Sequence, residues 1–207
     1  MFLGNNIPYK VYNKFDVLPI AKRLVELGND VWNFNTFRQV EVHNNPHINT
    51  KSLILNYCPG EPEVDRYVSD KHFNTAILTY ENFLEDIKKI KKIDIDQELN
   101  LLTDAIVTKL EQKFNGIAGN VIYAKLSAGK TITAHIDPGY YLSVVHRLHI
   151  PIITNEKVIF KTRGSAVNMI QGFLYEINNC ILHSVENNGT EDRVHLIVDI
   201  IPKDKLI

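Results

Sequence analysis

The sequence predicts a mainly β chain with flanking α-helices, its strands closing into an antiparallel barrel or a double-sheet jelly roll. Two observations carry that class. Short apolar or alternating runs, among them Val158-Ile159-Phe160, Leu174-Tyr175-Glu176-Ile177, Ile181-Leu182 and Leu196-Ile197-Val198, are separated by turn residues, and strand follows strand from Val121 to Pro202. Helical spacing is confined to the N-terminal half, where it marks segments able to cover a sheet.

The elements follow in order. Asp16 can cap a helix whose apolar stripe is Leu18, Ala21, Leu24, Val25 and Leu27, with Pro19 in its first turn and Gly28 as its stop. After Trp32, the stretches Gln39 to Val42 and Lys51 to Tyr57 read as strands, the second ended by Cys58-Pro59-Gly60. The polar segment His43-Asn44-Asn45-Pro46-His47 between them reads as a solvated loop, its histidines assigned to substrate contact rather than to a metal. From Asn82 to Lys92 and from Asp96 to Phe114 apolar residues recur at helical spacing, the second stretch with Leu99, Leu102, Ile106, Leu110 and Phe114 on one face. The acidic neighbours Glu85, Asp86, Asp94 and Asp96 make the run from Ile87 to Lys92 the solvated face of an amphipathic helix rather than a nucleic-acid or membrane patch. Asn115-Gly116 ends the helical half, and neither an internal repeat nor a phosphate-cradling glycine loop occurs.

A chain of 207 residues, 44% hydrophobic and 23% charged, is long enough for one sizeable core. With no linker in view, a single domain over 1–207 is expected, with N-terminal helices and supporting strands over 1–116 and a motif-bearing core over 117–203. The formal net charge of -1 offers no general attraction to nucleic acid or an anionic membrane. Cys58 and Cys180 lack metal-site spacing and are too few for a disulfide scaffold, which fits a reducing compartment. No basic-then-apolar leader opens the chain and no apolar run reaches membrane-spanning length, so a soluble cytoplasmic protein is expected.

The chemistry concentrates between His135 and Arg193. Side chains at i and i+2 of an extended strand point the same way, so His135 and Asp137 can face one ligand together. His183, at the start of a later strand, supplies a third donor if that strand folds back beside the first. Two imidazoles and one carboxylate on one face hold Fe(II) and leave the opposite positions open. Arg193 and His195 share a parity on the next strand; if their face looks into the barrel, the guanidinium needs an anion, and its planar fork suits a carboxylate.

His135 with Asp137, then Arg147, His149 and Pro151, Gly172 with Tyr175, His183 with Val185 and Asn187, and Arg193 ten residues after His183 occur in that order. The series resembles the motif of the aspartyl/asparaginyl β-hydroxylase family of Fe(II)/2-oxoglutarate-dependent oxygenases, whose fold is also used by bacterial free-proline hydroxylases. Phe173 stands where the family often has an acid, the loop between Asp137 and Arg147 is longer, and the N-terminal half is similar only through a helix, Trp32 and a strand following Thr50. The resemblance implies a double-stranded β-helix (jelly-roll, cupin-like) core with Fe(II) on His135, Asp137 and His183. It implies 2-oxoglutarate and O2 as cosubstrates, the far carboxylate of 2-oxoglutarate on Arg193, Arg147 and His149 near its metal-chelating end, and Tyr123 in the carboxylate pocket. The implied activity is hydroxylation of an unactivated carbon of an amino acid or a peptidyl Asp, Asn or Pro side chain, with release of succinate and CO2.

Because no tandem peptide-binding repeat and no basic stripe is present, the expected partner is a small-molecule amino acid or a flexible peptide segment, not a nucleic acid or a membrane. Arg38, His43, His47, Tyr140 and Arg163 are the candidate contacts for it. Pro138-Gly139-Tyr140-Tyr141 reads equally as a lid or substrate platform and as an ordinary turn with two surface-packed tyrosines. Two other readings stand beside the oxygenase: a cupin-like metal protein with Zn or Mn in a hydrolase or isomerase role, which leaves Arg193 without an assigned anion, and a non-catalytic ligand-binding roll.

Overall fold

A computed structural model of the chain describes residues 7–33, 45–58, 80–137 and 140–206. The N-terminal half contributes β1 (Tyr9–Lys14), α1 (Leu18–Leu27), a 3-10 turn at Asp30–Asn33, β2 (Thr50–Tyr57), α2 (Tyr80–Ile87), β3 (Lys91–Lys92) and α3 (Gln97–Phe114). Then come β4 (Gly116–Leu126), β5 (Thr131–His135), α4 (Tyr140–Val144), β6 (His146–Ile153), β7 (Val158–Thr162), β8 (Ser165–Val167), β9 (Phe173–Ile177), β10 (His183–Asn187) and β11 (Arg193–Pro202). The strands form a seven-stranded sheet in the order β1-β9-β6-β11-β4-β2-β3 and a four-stranded sheet in the order β5-β10-β7-β8. Every pairing among the described residues is antiparallel. Leu126, Tyr175 and Ile177 of the large sheet pack with Ile132, Val158, Phe160 and Val185 of the small one, which makes the two sheets the walls of a roll. This is the mainly β, double-stranded β-helix architecture.

The other face of the large sheet is covered by helices. Ile20 and Leu24 of α1 and Leu99, Ile106 and Leu110 of α3 pack there on Leu53, Leu148, Ile150, Leu196 and Val198. As a result β11 is buried along its whole length. Alternation sends Val194, Leu196, Val198 and Ile200 to the helices, and Arg193, His195, Ile197 and Asp199 into the roll. Gly172 turns the chain into β9 at φ 80°, and a Cβ there would lie 2.6 Å from the Phe15 carbonyl oxygen, so only glycine lets β1 approach this closely. Asn187 closes the β10–β11 turn by donating to the carbonyls of Leu126, Ser127 and Glu191.

Several expectations shift in detail. In α1 the buried residues are Ile20 and Leu24, while Leu18 and Val25 are exposed; Val17, just before the helix, joins the core and rotates the buried face. The predicted helix through Lys92 stops at Ile87, because Lys91 and Lys92 pair with Tyr57 and Asn56 as an exposed edge strand, where lysines discourage further pairing. Neither β1 nor α4 was apparent in the sequence. The predicted strand from Gln39 to Val42 lies outside the described residues.

Asp96 caps α3, its carboxylate accepting from the Leu99 amide at 2.9 Å and from Arg23 Nη2 at 2.6 Å, while Asn115 ends the helix at φ 47°. Asp96→Ala is expected to cost about 1 kcal/mol in urea or thermal unfolding. The Arg23 contact, then the Leu99 amide, draw the Asp96 carboxyl down from its ordinary 3.8 to about 2. A depressed carboxylate stabilises the fold fully above its unfolded value and loses that contribution as pH falls through its folded value. The stability gap between wild type and Asp96→Ala should therefore narrow as pH drops from about 5 towards about 2.

Candidate active site

The last residue of β5, His135, lies directly opposite the first residue of β10, His183, and their rings are 4.4 Å apart between centroids. His135 Nδ1 sits 2.7 Å from the Thr133 carbonyl oxygen and His183 Nδ1 2.9 Å from that of Ile181. A carbonyl only accepts, so each Nδ1 carries a hydrogen and each Nε2 is the nitrogen left for a ligand. Asp137 follows the strand rather than continuing it. Its amide donates to the Asn179 carbonyl at 3.0 Å, and its Oδ1 comes 3.3 Å from His135 Nε2.

Burial alone would raise the Asp137 carboxyl, but the Arg147 guanidinium and the His135 and His183 rings outweigh it and hold the group well below the usual carboxylate range. Burial also pulls His183 down, which favours the neutral imidazole a metal requires. A carboxylate beside one imidazole that offers Nε2, with a second such imidazole opposite that ring, fits a divalent ion.

Arg147, on β6, orients that anion. Its Nη1 donates to Asp137 Oδ2 at 2.8 Å, while Nε and Nη2 donate to the two carboxylate oxygens of Asp199, each at 2.9 Å. Asp199 is 0% exposed and lies across from Arg147 in the β6–β11 ladder. Arg147 was expected near the metal-chelating end of the cosubstrate; its guanidinium bridges two carboxylates, one of them the candidate metal ligand Asp137. Asp199 was missed by the sequence reading, although a carboxylate inside an apolar strand at the parity of Arg193 was a readable signal.

Deeper in the roll, Arg193 is 2% exposed and donates to His195 Nδ1 at 2.5 Å. Nδ1 is thereby the acceptor, so the neutral ring carries its hydrogen on Nε2. Burial, reinforced by Arg193 and His149, keeps His195 uncharged, and burial followed by Arg193 does the same for His149. Ser52, Ala124, His195 and Pro151 form one cross-strand row, and Ile54, Ile122, Ile197, His149 and Tyr175 the next on this face. Ser52 Oγ, His195 Nε2 and both ring nitrogens of His149 are buried with no hydrogen-bond partner among the described residues. Each such group costs about 1–3 kcal/mol if left unmet. Hydroxyl and imidazole N–H donors gathered beside a buried guanidinium fit an anionic ligand rich in acceptors.

Tyr123 is not part of this pocket, contrary to expectation. It pairs with Leu196 on the helix-covered face of β4, and its hydroxyl meets Thr103 Oγ1 of α3 at 2.6 Å. One residue of parity sends Ile122 and Ala124 into the roll and Tyr123 away from it. The hydroxyl that faces the pocket comes from Ser52, a polar residue just before the Leu53 to Leu55 run of β2 and not among the candidates the sequence singled out. Tyr140 opens α4 and packs edge-on against Phe83, and the Tyr141 hydroxyl accepts from the Asn120 amide at 2.9 Å, so neither is a surface-packed turn tyrosine. Arg163 is exposed in the turn after Thr162, the residue that pairs with His183. Arg38 and His43 lie outside the described residues. His47 stands edge-on to His135 at 4.8 Å between ring centroids.

Among comparisons with known proteins, none of the curated proteins matches the chain by sequence. Solved structures similar to it include a prolyl hydroxylase from Trichoplax adhaerens in complex with a hypoxia inducible factor oxygen degradation domain peptide fragment, at 13% identity and TM-score 0.49, covering 98% of this chain and 87% of that one. A viral collagen prolyl hydroxylase of Paramecium bursaria Chlorella virus-1, solved as a 2OG complex, is similar at 10% identity and TM-score 0.48, covering 97% and 98%. A Pseudomonas putida prolyl-4-hydroxylase follows at 11% identity and TM-score 0.45, covering 96% and 94%. The model of the family Aspartyl/Asparaginyl beta-hydroxylase matches residues 94–202, more than half of the chain and the whole stretch from α3 to the end of β11. The chain belongs to the aspartyl/asparaginyl β-hydroxylase family and is an enzyme of its hydroxylase type.

Proposed function

We propose that the protein is an Fe(II)- and 2-oxoglutarate-dependent hydroxylase of an amino acid or a peptidyl side chain of the Asp, Asn or Pro type. The observation that carries the reading is the conjunction, within one roll, of the His135–Asp137–His183 face and the buried Arg193 with its neighbouring donors Ser52, His149 and His195. His135, Asp137 and His183 would hold the iron, and Arg193 with His195 and Ser52 the far carboxylate of 2-oxoglutarate. Bound there, iron with 2-oxoglutarate and O2 supplies the oxidative decarboxylation, to succinate and CO2, that drives hydroxylation of an unactivated carbon. Around that chemistry Arg147 keeps Asp137 ionised and aimed, and the apolar walls from Phe160, Tyr175 and Ile177 exclude water from the interior. Arg163, at the small sheet's turn, is available at the surface for substrate contact. No described helix is long and apolar enough to cross a membrane.

The test is anaerobic. Fe(II) followed by 2-oxoglutarate should raise the weak visible charge-transfer band of a chelated 2-oxoacid, and a panel of free amino acids and short peptides scored by succinate release should then identify the substrate class. Folded, metal-loaded protein that shows no band with saturating 2-oxoglutarate defeats the reading. Arg193→Ala should weaken 2-oxoglutarate in the same titration by about 2–5 kcal/mol, on the order of 30-fold or more, while metal affinity stays near wild type.

A further inference from the structure

Among the described residues, the side chains whose ligand atoms all lie within 4.8 Å of one another as a possible metal site are His47, His135 and Asp137; His183 is outside that group and lies opposite His135 across the β5–β10 ladder. We infer that His47 is a fourth protein ligand of the metal in the cosubstrate-free enzyme, alongside His135, Asp137 and His183. The inference rests on the metal site of the proposed function and adds a donor from outside the motif.

The loop before β2 is built to deliver this ring. His47 donates its amide to Asn45 Oδ1 at 2.9 Å, and its carbonyl accepts from both the amide and the hydroxyl of Thr50, each at 2.8 Å. Thr50 is fully buried, so the anchor belongs to the core rather than to a solvated turn. Asn49 Nδ2 donates to the carbonyl of Thr131 at 3.1 Å, which ties the loop to the strand that ends at His135. Two donors about 2.0–2.2 Å from one ion are separated by at most about 4.4 Å, so donors of His47, His135 and Asp137 that lie within 4.8 Å of one another close on an ion with small shifts. Half-buried and edge-on to His135, the ring is in a different setting from a histidine incidental to a polar loop.

The consequence concerns the order of binding. Four protein donors leave two positions on a six-coordinate ion, as many as a 2-oxoacid chelate occupies, so His47 has to withdraw before a further position opens. The motif's three donors would then set the working site, and His47 would keep the resting site closed.

Co(II), with its coordination-sensitive visible spectrum, is the probe, added to wild type, His47→Ala, His47→Gln, His135→Ala and His183→Ala under chelator competition. Wild type should hold Co(II) about tenfold or more tighter than either His47 variant. Because 2-oxoglutarate fills the two positions left beside four protein donors, its addition should leave the wild-type spectrum distinct from that of the His47 variants. The His47→Gln protein keeps the loop polar, and unfolding of each variant without metal separates lost coordination from lost structure. Equal affinities and superimposable Co(II) spectra for wild type and both His47 variants overturn the fourth ligand. So does a His47 effect confined to the KM of the organic substrate. If wild type holds Co(II) no better than His135→Ala and His183→Ala, the metal site of the proposed function has failed instead, and His47 with it.

Discussion

Replacing His183 with alanine should lower metal affinity by more than about 100-fold, beyond the 10–100-fold typical of outer partners of a metal ligand, and abolish succinate release. The site makes the reason local. His183 stands opposite His135 in the β5–β10 ladder, its Nδ1 hydrogen committed to the Ile181 carbonyl, so Nε2 is the nitrogen left for a ligand and its loss removes a donor. The fold should persist, because the Phe160 stacked on the ring at 5.8 Å stays within the core between the sheets. Asp137→Ala should behave differently. It removes a metal donor and also takes an acceptor from Arg147, so it should lower both metal affinity and thermal stability. Calorimetric metal titration, paired with unfolding of the metal-free proteins, separates the two. A His183→Ala protein that still loads Fe(II) and turns over would remove the ring from the site.

Asp199→Ala should destabilise the protein by about 3–5 kcal/mol, lowering Tm by about 6–20 °C for a chain of this size. Arg147 makes both its Nε and Nη2 bonds to this one carboxylate, which is fully buried, and truncation takes both of these acceptors from a buried cation. Metal affinity should fall as well, by about 10–100-fold, because Arg147 is what aims Asp137. A paired change, Arg147→Met with Asp199→Leu, decides between structure and positioning. Removing both charges should restore most of the stability, since well-packed apolar replacements of a buried ion pair are often neutral or better. The weakened metal site should remain. If the double variant recovers metal affinity together with stability, Asp199 and Arg147 are scaffold alone.

Much of this molecule can be read along the chain, but unevenly. The helix from Gln97 to Phe114 announces itself through a capping aspartate, a 3.6-residue stripe and a left-handed Asn115, all local signals. The terminal strand is equally plain from Val194 to Ile201. The strand Tyr9–Lys14 escaped because its burial is slight and it pairs with β9, more than 150 residues away. The Lys91–Lys92 strand escaped because helical periodicity runs straight into it while the pairing partner lies in β2.

The site divides in the same way. Residue order singles out His135, Asp137, His183 and Arg193, and the likeness of that order to the family motif is legible in the sequence alone. Which side of each strand faces the roll was decided only by the packing of α1 and α3 on one face of the large sheet and of the small sheet on the other. That choice sent Tyr123 to Thr103 and brought Ser52 to the pocket. It also made Arg147 the bridge between Asp199 and Asp137. A one-residue change of parity leaves every local propensity intact while reversing what a side chain meets. The sequence therefore determined the chemistry of the donors, and only the tertiary structure decided their neighbours, because burial and cross-strand contact depend on chain segments far apart in order.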